Sequence, residues 1–222
     1  MTLPIDMHML SVWFLPCLFA ATLHEAAHAY AAWYCGDPTA RLQGRCSLNP
    51  LAHIDIIGTI VLPLTLLLFK YNLIFAWGKP IPIISRYFKH PKRHHAFVAL
   101  CGPAANLLMA CLWALLLNLT LSGYLDLFGN PLLIAWLKKT CDIGIFINAC
   151  LFVFNLLPIP PLDGSKCLAY ILPYPWDEWY QSFEEYGMII IFIVFYYTSL
   201  HRTVNMLIVT LYLLISIAFR VI

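Results

Sequence analysis

The chain has 222 residues, of which 62% are hydrophobic and 11% are charged, and its mean hydropathy is +0.79. A soluble domain is roughly half apolar and a quarter charged, and one of this length cannot bury so much apolar surface in its own core. The composition therefore excludes an ordinary water-soluble enzyme and predicts an all-α integral membrane protein. The net charge of +2 gives no signal for nucleic acid or for an acidic partner.

Long apolar runs follow one another along the chain, and a membrane-spanning helix needs roughly 20 mostly apolar residues. They lie at about 9–34, 56–77, 96–121, 143–162, 186–200 and 203–222. We expect about five to six membrane helices in one membrane-embedded domain (1–222), with a core over about 9–170 and a C-terminal helical hairpin over about 186–222. Residues 1–10 contain no Lys or Arg, so we interpret the first run as a retained helix and not as a signal peptide.

The first run contains the sequence His24-Glu25-Ala26-Ala27-His28, an HExxH motif. Histidines at i and i+4 lie one above the other on a helix, so both imidazoles can reach one metal ion. Glu25 is placed to accept a proton from an attacking water. Ionisable groups in a run that faces lipid are costly and usually functional, so a chance match is the weaker interpretation.

A catalytic zinc ion takes three protein ligands and keeps one position open. Asp163 is the candidate for the third ligand. It follows Pro158, Pro160 and Pro161, which break a helix, and the alternative is an Asp-Gly turn at a helix end. If Asp163 meets the two histidines, the first and fourth runs must point in the same direction. That requires an odd number of full membrane passes between these two runs. The 56–77 run is therefore predicted to be re-entrant or strand-like and to dip into the membrane near the active site.

The distribution of positive charge supports this topology, since basic residues concentrate on the cytoplasmic side of membrane proteins. The predicted inside holds ten basic residues: Arg41, Arg45, Lys70, Lys79, Arg86, Lys89, Lys92, Arg93, Lys166 and Arg220. The predicted outside holds three: Lys138, Lys139 and Arg202. If the 56–77 run were a full pass, eight basic residues would lie inside and five outside.

Several stretches in the same order resemble the site-2 protease family of intramembrane zinc metalloproteases, and in particular its compact members without a PDZ domain. They are His24–His28, Gly36–Ala40, Leu48–Asp55, Gly78–Pro82, Gly102–Asn106 and Asn155–Gly164. The resemblance covers most of residues 20–170 and departs from the family pattern in the proline-rich sequence before Asp163.

The resemblance implies that His24, His28 and Asp163 bind one Zn²⁺ and that Glu25 is the general base. It also implies that Asn106, in a Gly-x-x-x-Asn pattern, helps to hold the substrate or the reacting water. The residues themselves leave open a second role for Asn106, a hydrogen bond between helices.

Other polar residues have simpler explanations. His53 and Asp55 are tempting extra ligands, but the three-ligand site is already complete, so we favour interfacial polar roles. His90, His94 and His95 stand among basic residues and indicate a cluster that faces lipid headgroups.

The sequence thus predicts a protease that hydrolyses peptide bonds in or near membrane-spanning segments of other proteins. Its partners would be transmembrane protein substrates and the lipid bilayer, with no nucleic acid. We expect a multi-pass protein of the cell (inner) membrane with its active site towards the cytoplasm, and an extended segment around 78–84 that pairs with the unwound substrate. The alternatives are a metal ion or proton transporter, which would not need Glu25, and an inactive protease-like scaffold, which would not need all four site residues.

Overall fold

The computed structural model describes residues 7–61, 78–124 and 130–222. Within these ranges the chain forms α-helices and short helical turns, without a β-strand. The helices are α1 (Met7–Tyr34), α2 (Thr39–Leu42), α3 (Pro91–Leu121), α4 (Pro131–Asn155), α5 (Asp163–Ile171), α6 (Trp176–Gln181), α7 (Gly187–Tyr197) and α8 (Leu200–Ala218). Turns of 3₁₀-helix cover Pro50–Ala52, Ser85–Tyr87 and Ser182–Tyr186, and a π-helical turn covers Ile56–Val61. This all-helical architecture fits an α-helical membrane protein.

The boundaries of α3 and α4 follow from their caps and differ from the apolar runs. Both helices begin with a proline at the first helical position, which suits proline because the first N–H needs no partner. The Asn130 side chain also accepts hydrogen bonds from the N–H groups of Leu132 and Leu133. The helices therefore begin before the apolar runs at about 96 and 143, because charged residues near the start of α3 and inside α4 interrupt the apolar pattern without ending the helix.

The ends of the later helices also need correction. The fourth run was predicted to continue to 162, but α4 ends at Asn155, shortly before the prolines that precede Asp163. The C-terminal hairpin was predicted to turn at 201–203, whereas α7 ends at Tyr197 and α8 begins at Leu200. The second run, 56–77, begins with the π-helical turn, and its residues 62–77 lie outside the described part, so its re-entrant path stays a prediction.

Three helices, α1, α3 and α4, form the central bundle that carries the site. At the start of α4 the Trp136 indole donates to Ser11 Oγ, near the start of α1, at 3.0 Å. Further along, Asn106 of α3 contacts both Ala20 of α1 and Asn148 of α4. Helices α1 and α4 are therefore parallel, as the prediction of a shared direction for the first and fourth runs requires, and α3 runs antiparallel between them.

Apolar packing holds together the half of this bundle that is farther from the HExxH motif. Trp113, Ala114 and Leu117 of α3 pack against Cys141 and Ile145 of α4, and Ile215 of α8 closes the cluster. All six side chains are at least nine-tenths buried. This cluster attaches α8 to the bundle near the end distant from the HExxH motif.

Two of the described helices, α3 and α8, are long and apolar enough to cross a membrane by length and composition. Many large apolar side chains of α7 and α8 point away from the protein, for example Phe192 (74% exposed). Outward-facing apolar surface of this kind is expected where lipid is the solvent. The number of five to six spans remains a prediction.

Candidate metal centre

The structure brings His24, His28 and Asp163 together. The two Nε2 atoms lie 3.0 Å apart, and Asp163 Oδ2 is 3.2 Å from Nε2 of His24 and 3.3 Å from Nε2 of His28. Both imidazoles are buried and the aspartate is half-buried. Among the described residues this is the one cluster of three or more His, Cys, Asp or Glu side chains with ligand atoms close enough to share an ion.

Local structure places each of the three donors. His24 and His28 are one turn apart on α1, so their rings lie on one face of the helix, in edge-to-face contact with centroids 4.6 Å apart. Asp163 is the first residue of α5, where the chain leaves its proline-rich connection. Gly102 of α3 lies against the rings, and a Cβ atom at this position would be 2.3 Å from His28 Nε2. The absence of a side chain at 102 therefore makes room for the cluster.

Hydrogen bonds at the far side of each ring fix the tautomers. His28 Nδ1 is 2.8 Å from the carbonyl oxygen of Val98, which can only accept, so this nitrogen carries the proton. His24 Nδ1 is 2.7 Å from Asn106 Oδ1. The amide of Asn106 cannot be reversed, because its nitrogen donates to the carbonyl oxygen of Ala20 at 3.2 Å. His24 Nδ1 therefore also carries the proton.

Both Nε2 atoms consequently present lone pairs to each other and to Asp163 Oδ2. That carboxylate oxygen is buried and has no hydrogen-bond partner within the described part of the chain. Three lone-pair donors so close together repel one another unless a cation lies between them. Zinc at about 2.0–2.1 Å from each of three donors in tetrahedral geometry holds the donors about 3.3 Å apart, which matches the observed 3.0–3.3 Å. The residues present fit a zinc ion.

Asn106 is completely buried and connects the three helices of the bundle. Besides its bonds to His24 and Ala20, its side chain donates to Asn148 Oδ1 at 3.1 Å, and Asn148 in turn donates to the carbonyl oxygen of Gly144 at 2.8 Å. The hydrogen bonds between helices that the sequence left open for Asn106 are thus present. A contact of Asn106 with substrate or water stays a prediction.

Sequence analysis missed Asn148 and Val98 as supports of the centre. Asn148 carried a usable signal, since it is an uncharged polar side chain in the middle of an apolar run, where such groups usually bond to another helix. Val98 gave no signal, because it acts through its backbone carbonyl.

Glu25 lies on the side of α1 that faces the segment 78–84. A Cβ atom placed on Gly78 would be 3.5 Å from Glu25 Cγ and 3.8 Å from its Oε1. The segment has no helical structure and reaches this position through a hydrogen bond from the Lys79 N–H to the carbonyl oxygen of His53 at 2.9 Å. The carboxylate and the non-helical segment are therefore neighbours.

The other candidate ligands take part in separate contacts. His53 Nε2 is 2.8 Å from the carbonyl oxygen of Ser47, and Asp55 Oδ1 accepts from the N–H of Gly58 at 2.7 Å. His90 and His94 contact each other edge to face, with ring centroids 5.4 Å apart. None of these contacts joins the metal centre.

Two ion pairs hold the segment after α5 against the bundle. Lys92 Nζ, at the start of α3, is 2.6 Å from Asp177 Oδ2 in α6. Lys166 Nζ in α5 is 2.6 Å from Glu184 Oε1. The hydrogen bond from Lys92 holds the pKa of Asp177 below its ordinary value of 3.8. These pairs fix α5, and with it Asp163, relative to α3.

Comparison with known proteins identifies relatives that are named as zinc metalloproteases. The chain is 37% identical over 177 residues to a Bacillus subtilis protein named "Putative zinc metalloprotease YwhC", a match that covers 78% of this chain and 75% of that protein. It is 30% identical over 185 residues to "Putative zinc metalloprotease Rip2" of Mycolicibacterium smegmatis, covering 83% of this chain and 66% of that relative. The Rip2 protein of Mycobacterium tuberculosis is 28% identical over 152 residues, 53% of its length. No family model and no solved structure matches the chain.

Proposed function

Since this chain belongs to the site-2 protease family of zinc metalloproteases, we propose that it is an intramembrane zinc metalloendopeptidase. It hydrolyses peptide bonds within or near the membrane-spanning segments of other membrane proteins. The observation that carries the proposal is the triangle of His24 Nε2, His28 Nε2 and Asp163 Oδ2, with sides of 3.0–3.3 Å. Glu25 follows the first of these ligands on the same helix.

In this proposal His24, His28 and Asp163 hold Zn²⁺. Zinc bound there would supply Lewis-acid polarisation of the scissile carbonyl and a pKa of the attacking water lowered to about 7. Val98 and Asn106 keep the imidazoles in the Nδ1–H tautomer, so that both Nε2 lone pairs point into the centre.

Glu25 acts as general base and then as general acid. It removes a proton as the water oxygen forms a bond to the carbonyl carbon, and it delivers that proton to the amine nitrogen as the C–N bond breaks. General acid–base catalysis of this kind contributes about 10²- to 10⁴-fold to the rate. The pairing of a metal ligand set with a base distinguishes a protease from a transporter or an inactive scaffold, since neither needs Glu25.

The substrate backbone must be unwound before it reacts, because the carbonyl groups of a membrane helix are occupied by their own hydrogen bonds. The non-helical segment 78–84 lies beside Glu25 and is suited to pair with an extended substrate as an added strand. Pro80 and Pro82 lack an N–H, so the amides of Ile81 and Ile83 are the groups available for pairing along this stretch.

We place the protein as a multi-pass protein of the cell (inner) membrane, with the metal centre towards the cytoplasmic side. Two described helices have the length and apolarity of membrane spans. The excess of Lys and Arg in the connections on the side of the metal centre supports this orientation. Its partners are then transmembrane protein substrates and the bilayer itself.

The test is cleavage by the purified protein in lipid vesicles. Zinc-loaded wild type and Glu25→Gln are each combined with a panel of tagged single-span membrane proteins, and mass spectrometry locates the products. We expect wild type to cut within or beside a span and Glu25→Gln to be slower by about 10²-fold or more. Zinc or proton flux into the vesicles that needs the histidines but not Glu25 would instead favour a transporter.

A further inference from the structure

Two buried charged side chains outside the metal centre have no ion-pair partner among the described residues. Asp37, just after α1, is 0% exposed, and Arg45, just after α2, is 6% exposed. Each of these charges is instead satisfied by hydrogen bonds to backbone groups, and Asp37 also by the hydroxyl of Thr39. Burying a charge costs several kcal/mol before such compensation, so this arrangement needs an explanation beyond stability.

Asp37 holds the C-terminal end of the segment 79–84. Its Oδ2 accepts a hydrogen bond from the N–H of Ile84 at 2.6 Å, while its Oδ1 accepts from the N–H and the hydroxyl of Thr39. The N–H of Asp37 also donates to the carbonyl oxygen of Ala32 in α1 at 2.9 Å. Asp37 therefore ties Ile84 directly to the helix that carries the metal ligands and Glu25.

Arg45 holds the N-terminal end of the same segment. Its guanidinium donates to the carbonyl oxygens of Lys79 at 2.7 Å and Pro80 at 3.1 Å, and also to that of Ala52. A planar guanidinium with five N–H groups can bridge several carbonyls in this way, whereas an ammonium group acts as a single point charge. Arg45 thus joins the chain around residue 52 to the start of the segment.

Both ends of the segment are fixed, and the middle remains available. Between the two anchors lie Ile81 and Ile83, and the described residues supply no backbone partner for their N–H groups. Gly78, just before the first anchor, lies beside Glu25, since a Cβ atom placed on it would be 3.5 Å from Glu25 Cγ. Each buried charge therefore fixes one end of a backbone segment, Arg45 through the carbonyl oxygens of Lys79 and Pro80 and Asp37 through the N–H of Ile84.

We propose that Asp37 and Arg45 are positioning residues that hold residues 79–84 extended beside Glu25, so that the substrate backbone pairs with this segment in one register. The inference rests on the proposed function and assigns a role in it to two residues that do not touch the reacting atoms. Loss of Asp37 or Arg45 shifts and loosens the segment 79–84. Substrate binding is then weaker, while the metal centre stays intact.

The first measurement needs no substrate. Amide hydrogen exchange over 78–84 is compared in Glu25→Gln protein with and without Asp37→Asn or Arg45→Met. We expect faster exchange in both variants, because the one acceptor oxygen left at position 37 in the first cannot serve both Thr39 and Ile84, and the start of the segment is released in the second. Two controls should exchange like the parent. Arg41→Met removes the exposed arginine that lies over the Trp33 ring, and Thr39→Val leaves the bond between Asp37 and Ile84 in place.

The second measurement separates binding from chemistry, with the member of the substrate panel that wild type cleaves best. We expect KM to rise roughly 10- to 100-fold in Arg45→Met, in line with the loss of charge-assisted hydrogen bonds, with kcat and zinc content close to wild type. Arg45→Lys keeps the charge and should have a KM between those of wild type and Arg45→Met. It is the variant to use if Arg45→Met does not fold.

The outcomes distinguish the positioning role from the proposed function. Unchanged exchange over 78–84, or a lower kcat with zinc loss and an unchanged KM, would overturn the positioning role while leaving the protease proposal in place. If wild type cleaves no member of the panel, the proposed function fails and the substrate role of Asp37 and Arg45 fails with it, even where exchange increases.

Discussion

The interior of the central bundle and the C-terminal pair α7–α8 use side chains in opposite ways. Inside the bundle, polar residues are buried: Asn106 and Asn148 are fully inaccessible, and His24 and His28 are at most 9% exposed. In the C-terminal pair, large apolar residues are exposed, as Phe192 and Leu214 (60%) illustrate. The bundle interior thus makes its specific contacts through polar groups, whereas the C-terminal pair presents an apolar surface.

This difference follows from the solvent that the composition predicts. In lipid, apolar side chains gain little from leaving the surface, so helices associate through close packing and hydrogen bonds between polar side chains. The stability and metal binding of the bundle should therefore be sensitive to the loss of single contacts. The C-terminal pair α7–α8 should tolerate changes in its exposed apolar side chains. Mutations can test this contrast.

The largest effect is expected from Gly102→Ala. The new Cβ atom would lie 2.3 Å from His28 Nε2 and 2.7 Å from His24 Cε1, so helix α3 or both rings must move. We predict loss of zinc binding and of proteolysis, measured by metal content and by cleavage in vesicles. Ala104→Leu, at an exposed position of the same helix, is the control, and a zinc-loaded Gly102→Ala protein would contradict the close packing described here.

Asn106→Ala should have the next largest effect. The substitution leaves the Nδ1–H of His24 without its acceptor, and loss of such a supporting hydrogen bond typically lowers metal affinity about 10- to 100-fold. Zinc affinity measured by competition with a chelator tests this expectation. Asn118→Ala is a matched control, because Asn118 lies in the same helix and donates to the carbonyl oxygen of Phe219, far from the centre. Equal affinities in the two variants would remove Asn106 from the support of His24.

Side-chain truncation compares the two regions directly. Ile145→Ala, at a fully buried position between α3 and α4, should destabilise the protein by about 2–5 kcal/mol. Leu214→Ala, on the exposed side of α8, should change stability by no more than about 0.5 kcal/mol. Unfolding by denaturant in mixed micelles gives both values. Equal losses would indicate that α8 is covered by protein on its outer side.

The smallest effect concerns pH. The pKa of Asp177 is lowered by the hydrogen bond from Lys92, so the pair stabilises the folded state above the ordinary pKa of 3.8 and loses this contribution as the pH falls below it. Asp177→Asn should therefore lower the melting temperature slightly at pH 7 and not at pH 3. Glu178→Gln, at the exposed neighbouring position, serves as the control. A difference from wild type that persists at pH 3 would show that Asp177 acts by packing and not by charge.

Much of the centre is predictable from sequence, because its logic is local. HExxH needs only helical periodicity to bring two imidazoles together. The prolines before Asp163 end the preceding helix, so they indicate that this carboxylate is not part of it. The shared direction of α1 and α4 followed from requiring these three residues to meet. Each of these steps uses a spacing or a helix-breaking residue visible in the chain.

The remaining contacts depend on distant backbone atoms that leave no pattern. Arg45 was counted only as a positive charge on the cytoplasmic side, yet it binds carbonyl oxygens more than 30 residues away. Asp37 was recognised only as part of a matching stretch, and its bond to Ile84 spans 47 positions. The helix starts differ from the apolar runs for another reason, since charged residues near the start of α3 and inside α4 interrupt apolarity without interrupting the helix.

The most direct test of the account is the zinc content of the purified protein in detergent. Wild type, Asp163→Ala and Glu25→Gln are compared, because the first change removes a ligand and the second removes only the base. We predict about one zinc per chain in wild type and in Glu25→Gln, and a loss of zinc in Asp163→Ala. Wild type without zinc, or Asp163→Ala with as much zinc as wild type, would contradict the three-ligand centre.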